Sequence, residues 1–115
     1  MNYILDEHGN PQAERDIIAW FNWFESSITQ RIVARDTIDI VSVFGGTFDV
    51  RVSTVFLAID HNFGEQGPPR LYETLVLGGE LDEEMDRYST RAKAVLGHAK
   101  MLERVKATAP APAGG

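Results

Sequence analysis

No cysteine occurs anywhere in the 115 residues, and that one absence excludes disulfides, thiolate zinc sites, iron–sulfur clusters and cysteine nucleophiles together. No stretch approaches the roughly 20 uninterrupted apolar residues of a membrane helix, and the opening MNYILDEHGNP has neither a basic n-region nor an apolar h-region. The chain reads as a soluble intracellular protein. Positive charge is also scarce. Eleven Lys and Arg stand against 17 Asp and Glu, a net charge of -6, whereas a protein that grips duplex nucleic acid collects cations on one face. Duplex binding is not expected. The three histidines, His8, His61 and His98, are scattered outside any H-x-x-x-H or H-E-x-x-H arrangement, so neither a metal nor another cofactor is expected. The glycine pairs at 45-46 and 78-79 fit no phosphate-binding motif. No G-x-S-x-G elbow surrounds Ser26, Ser27, Ser42, Ser53 or Ser89.

What is present is 43% apolar residues spread along most of the chain, enough to offset the chain entropy of one small core and too little for two. A single α+β domain is expected over residues 1-107. The Ala/Pro/Gly-rich end, 108-115, reads as a disordered tail.

A short apolar opening, Tyr3-Ile4-Leu5, runs into the turn formers Asp6 to Asn10. With Asn10 as N-cap and Pro11 as first helical residue, a helix is expected to about Ser26, its stripe formed by Ile17, Trp20, Phe21, Phe24 and Ile28. Ile18 and Trp23 lie on its flanks. Two strands, Thr37 to Phe44 and Thr47 to Ile59, flank Gly45-Gly46 as a hairpin. Apolar parity changes along the second arm, from Phe48, Val50 and Val52 to Val55, Leu57 and Ile59, which a β-bulge or a bend near Ser53-Thr54 would reconcile. A strand from Leu71 to Leu77 follows, then an acidic loop from Glu80 to Asp86. A second helix, about Thr90 to Ala107, is capped by Ser89 or Thr90. Its stripe is Ala92, Val95, Leu96, Ala99, Leu102 and Val105, and Gly97 interrupts it. The expected fold is an antiparallel meander of three to four strands packed with two helices on one face.

Asp60-His61-Asn62-Phe63-Gly64 is the most distinctive string, an acid, an imidazole and an amide at a strand exit. His61 with Asp60 could act as a base with an orienting partner or contribute to a metal site, but a structural loop with Asp60 or Asn62 capping turn amides is the better reading. With Glu73 they form the least implausible acid/base set, should the protein be an enzyme. Glu80, Asp82, Glu83 and Glu84 miss the EF-hand spacing and read as a solvated acidic loop suited to a basic partner. Phe63 beside His61, and Tyr88 beside Arg87, place an aromatic next to a nitrogen-rich side chain, as a nucleotide pocket would use.

Taken in order, Val52-Ser53-Thr54-Val55-Phe56-Leu57, Asp60-His61-Asn62-Phe63-Gly64, Pro68-Pro69, Tyr72-Glu73-Thr74, Gly78-Gly79 and Arg87-Tyr88-Ser89-Thr90 give the chain its likeness. It resembles a family of small proteins encoded by bacteriophages and prophages. The likeness runs from about Met1 to Val105 and includes Asn2-Tyr3-Ile4-Leu5-Asp6 and Gly97-His98. It carries over no activity and no site residue. The chain departs from the pattern at Ile40 to Phe48, and at Asp86 and Arg91, where the resembling proteins tend to have tryptophan. The resemblance implies an accessory or anti-defence protein made in the host cell cytoplasm.

The first expectation is thus a non-enzymatic protein that binds a host protein stoichiometrically, its acidic surface docking on a basic, nucleic-acid-handling partner. The alternative is a small-molecule or nucleotide sponge with a pocket at the 60-69 loop. Apolar residues on both faces of the 37 to 59 hairpin also predict a homodimer or higher even oligomer joined there.

Overall fold

The first helix begins at Asp16 rather than at Asn10. Asp16 accepts hydrogen bonds from the Ile18 and Ala19 amides at 3.0 and 3.2 Å, which satisfies two of the four orphan donors of a helix start. Residues expected to open that helix pair instead: β2 (Pro11–Ala13) runs antiparallel to β1 (Tyr3–Leu5). Asp6 closes the turn between them, accepting from the His8 and Asn10 amides at 2.8 and 2.9 Å. The Asn10 amide above all holds the Asp6 carboxyl below its ordinary range. The rest of the chain forms α1 (Ile17–Ser26), α2 (Ile28–Arg31), β3 (Ile32–Val41), β4 (Thr47–Phe56), β5 (Tyr72–Leu77), β6 (Met85–Tyr88) and α3 (Arg91–Lys106).

This computed structural model describes residues 1–62 and 66–110; Phe63 and residues 111–115 of the expected tail lie outside them. The architecture is mixed α+β. A four-stranded antiparallel meander, ordered β3-β4-β5-β6, stands beside the two-stranded β1-β2 sheet. The β3-β4 turn spans residues 42–46 and is closed by Ser42 N–H to Gly46 O at 2.6 Å. Only Gly45 of its two glycines takes a positive φ, so the turn is not the tight two-residue one that a glycine pair suggested.

No bulge interrupts β4. The register shift lies across from it on β3, between Ile32 and Ala34. Val50, Val52, Thr54 and Phe56 all point to one face and are all buried. Parity seemed to switch only because one inward residue, Thr54, is polar. Opposite them stand Val76, Thr74 and Tyr72 of β5.

α3 covers this face. Thr90 caps it, accepting from the Lys93 amide at 3.1 Å. The buried stripe is Ala94, His98, Met101 and Val105, rotated from the expected one, and Val95 and Leu96 lie exposed. α1 is rotated as well. Trp20, Trp23 and Phe24 pack on the core, while Ile17, Ile18, Phe21 and Ile28 face solvent. The core divides in two: Ile40, Val50, Val52, Val76, Met101 and Val105 at one end, and Phe56, Ala58, Leu71, Tyr72 and Ala94 at the other. No helix among the described residues is long and apolar enough to cross a membrane.

Candidate functional site

Asp60 and Asn62 spend their side chains on the 60–70 loop itself. Asp60 accepts from the Asn62 and Arg70 amides at 2.8 and 3.1 Å. Asn62, 6% exposed, donates to the Gly67 and Pro68 carbonyls at 3.3 and 3.2 Å. These are the turn-capping roles such side chains favour. Glu73 is held by Arg87, with Nε to Oε2 at 3.0 Å. The His61 amide donates to the Arg70 carbonyl at 3.2 Å. In the acidic loop Asp82 accepts from the Gly78 amide at 2.6 Å, and Glu84 pairs with Arg104 at 3.1 Å. Glu80 and Glu83 lie exposed. Among the described residues no three His, Asp or Glu converge as metal ligands.

The residues that do converge are Asn62, Arg87 and Tyr88. They line a cleft of about 400 Å³ together with Arg70, Ser89 and Lys93. A second cleft of about 360 Å³ adjoins it, formed by Leu96, Gly97, Lys100, Met101 and Arg104, and the two share Asp86, Tyr88 and Lys93. Five of the chain's eleven cations thus surround one tyrosine ring on a protein that is acidic overall. Lys93 and Lys100 make no ion pair among the described residues.

Gly97 explains how the ring sits there. A Cβ at this position would fall 2.2 Å from the tip of the Tyr88 ring, so only glycine lets the phenol lie against α3. The Tyr88 hydroxyl is buried without a hydrogen bond of good geometry among the described residues. Burial pushes its pKa above the ordinary value, with the Thr74 hydroxyl opposing, and the phenol stays protonated at neutral pH.

Beneath α3 lies an arrangement that the residue pattern did not single out. His98 Nε2 meets Asp36 Oδ2 at 2.7 Å, its Nδ1 meets Thr54 Oγ1 at 2.7 Å, and Thr54 meets Thr74 at 2.5 Å. An acid, an imidazole and a hydroxyl in line match the parts of an acyl-transfer triad. The hydroxyl, however, is wholly buried between sheet and helix, where no substrate reaches it. The row holds the core together. His98 was found only as one of three scattered histidines and as half of Gly97-His98.

Comparison with protein-family models, with curated proteins and with solved structures finds no match to this chain. The chemistry of its surfaces therefore carries the functional argument.

Proposed function

We propose that the chain is a ligand-binding protein whose site is the double cleft beside β6 and α3, and that it takes a small phosphorylated molecule of the nucleotide class. The gathering of Arg70, Arg87, Lys93, Lys100 and Arg104 around Tyr88 carries this reading. Cations attract the phosphate, and an aromatic ring offers a stacking surface for a base. Asp86 suits a ribose hydroxyl or an exocyclic amine, both of which donate. Each cleft falls within the 300 to 1,000 Å³ typical of small-molecule sites, roughly the size of a mononucleotide. In a bacteriophage, as the resemblance implies, a protein with this site would act by sequestering a nucleotide of the host. Its place would be the host cytoplasm.

Thermal shift with linear and cyclic nucleotides tests this, because a ligand that binds only the folded state raises the melting temperature by mass action. The expected rise is lost on Lys93→Glu, whose side chain faces both clefts. A melting temperature unmoved by every nucleotide at millimolar concentration refutes the reading.

A second reading, stoichiometric binding to a host protein, rests on exposed apolar side chains. Val43 and Phe44 at the hairpin tip are 74% and 95% exposed. Retention of a host protein from lysate by the intact chain, lost on Phe44→Ser, supports it; retention of none under either low or moderate salt counts against it.

A further inference from the structure

A third cavity, about 290 Å³, opens between the β1-β2 turn, α2 and the start of α3. It shares no residue with the double cleft. Its floor is apolar, made by Leu5, Val33, Phe56 and Tyr72, and its polar groups are Gln30, Arg91 and His8. Tyr72 is 1% exposed, yet its hydroxyl has no hydrogen-bond partner among the described residues. A buried hydroxyl left in that state costs free energy that a ligand acceptor would recover. Arg91 lines the same cavity and makes no ion pair among the described residues. It also follows the N-cap of a 16-residue helix, whose positive end favours an anion.

We propose that this cavity is a binding site for a small monocarboxylate with a short apolar body, its acid group held by Arg91 and by the Tyr72 hydroxyl. The charge count selects the class. One guanidinium faces the cavity, a planar fork matched to a single carboxylate. At the rim Glu7 Oε1 lies 3.3 Å from His8 Nε2, which sets a carboxylate beside the entrance, where it repels a dianion more than a monoanion. Phosphate esters are disfavoured there. The volume lies at the lower limit of ligand sites, and the floor of aliphatic and aromatic side chains takes an alkyl chain or one ring. Burial holds the Tyr72 phenol above its usual pKa, with Arg91 opposing, so the hydroxyl remains a donor.

The test titrates the full chain with butyrate, hexanoate and phenylacetate, with hexanamide as the neutral control and inorganic phosphate as the dianion control, followed by amide NMR and calorimetry. Hexanoate or phenylacetate is expected to bind and shift the amides around Tyr72 and Arg91. Arg91→Gln should weaken that binding about tenfold or more, as loss of a charge-assisted contact requires. Tyr72→Phe should weaken it several-fold while leaving the melting temperature of the free protein unchanged or raised, since it deletes an unpartnered group. The proposal is overturned if no carboxylate binds at tens of millimolar, if hexanamide or phosphate binds as well, or if affinity survives Arg91→Gln. A marked fall in the melting temperature of free Tyr72→Phe overturns it too, because the hydroxyl would then be in structural use. Failure here leaves the nucleotide reading standing, for Lys93→Glu is not expected to alter carboxylate binding.

Discussion

Replacing Thr54 by valine keeps the shape of the side chain and removes one hydroxyl from the middle of the sheet. That hydroxyl has two partners. It lies 2.5 Å from Thr74 Oγ1 and 2.7 Å from His98 Nδ1, and all three residues are at most 4% exposed. With a neutral imidazole, every group is satisfied when Thr74 donates to Thr54, Thr54 to Nδ1, and Nε2–H to Asp36. The valine leaves Thr74 and Nδ1 as buried orphans. At about 1 to 3 kcal/mol each, less the small gain from a more apolar side chain, the expected cost is about 2 to 5 kcal/mol. That is a large share of the 5 to 15 kcal/mol typical of a domain. At about 4 °C per kcal/mol for a chain of this size, the melting temperature falls by roughly 8 to 20 °C.

Urea unfolding followed by far-ultraviolet circular dichroism measures the loss, and the cycle with Thr74→Val isolates its cause. In the double variant only Nδ1 stays orphaned, so the two single costs should exceed the double by about 1 to 3 kcal/mol. Asp36, half exposed, is a different partner, because water replaces it; Asp36→Asn should cost less than about 1 kcal/mol. A Thr54→Val variant within about 0.5 kcal/mol of the parent, the usual size of a neutral surface change, would refute the argument. Strict additivity in the cycle would do the same.

Three further outcomes follow. Gly97→Ala gains about 1 kcal/mol of helix propensity but drives a methyl into the Tyr88 ring, so calorimetry should show a net loss of about 1 to 2 kcal/mol that disappears in a Tyr88→Ala background; a higher melting temperature in the single variant contradicts the seating of the ring. Asp39 faces Asp49 directly across β3 and β4, and the hydrogen bond that a protonated Asp39 shares with Asp49, followed by the repulsion of two like charges, raises its pKa above the ordinary 3.8. The folded chain therefore holds that proton more tightly than the unfolded one, and the stabilising effect, full below 3.8, is lost as pH rises through the folded value. Asp39→Asn should raise the urea midpoint at neutral pH and not in strong acid, and equal effects at both ends would exclude the repulsion. For the proposed homodimer or higher even oligomer joined through the hairpin, light scattering at micromolar concentration should give a multiple of 12.8 kDa that Val43→Glu reduces to the monomer, whereas a parent already at 12.8 kDa removes the proposal.

The strands were legible because their residues are β-branched and their turns glycine-marked: β4, β5 and their antiparallel pairing stand where the pattern placed them. The start of α1 was not. Asn10-Pro11 and Asp16 each satisfy the chemistry of a helix start, and what decides between them is tertiary. The β1 strand is held from the other side as well, its Tyr3 amide donating to the Ala58 carbonyl at 2.8 Å, and a strand so anchored offers Pro11–Ala13 an edge to pair with. Trp20 then fixes the helix by donating its indole N–H to both the Tyr3 and Ala58 carbonyls, at 3.0 and 3.1 Å. None of those long-range contacts is written in the local pattern. The clefts were legible in part, since Arg87 and Tyr88 stand together in the sequence, while Lys93, Lys100 and Arg104 fall outside the expected stripe of α3 and nothing local ties them to that pair.

The misplaced stripe on α3 shows where an apolar pattern loses its authority. Counting Val95 and Leu96 in the stripe and leaving His98 out of it follows hydropathy alone, but a helix docks on the face its sheet can satisfy. In β4 and β5 the pairing of Val52 with Val76 sets Thr54 opposite Thr74, and two inward hydroxyls in an apolar layer leave a polar valence to be filled. A leucine there would strand it; an imidazole fills it and carries the connection out to Asp36 at the edge. His98 therefore turns inward, Ala94 and Met101 follow at helical spacing, and Gly97 is brought against the sheet where Tyr88 needs room. The signal was in the strands, as a pair of threonines at matching parity, and it fixes the rotation of a helix that begins 17 residues beyond Thr74. It also ties the proposed site to the core: the rotation that satisfies Thr54 is the one that sets Lys93 and Lys100 beside Tyr88.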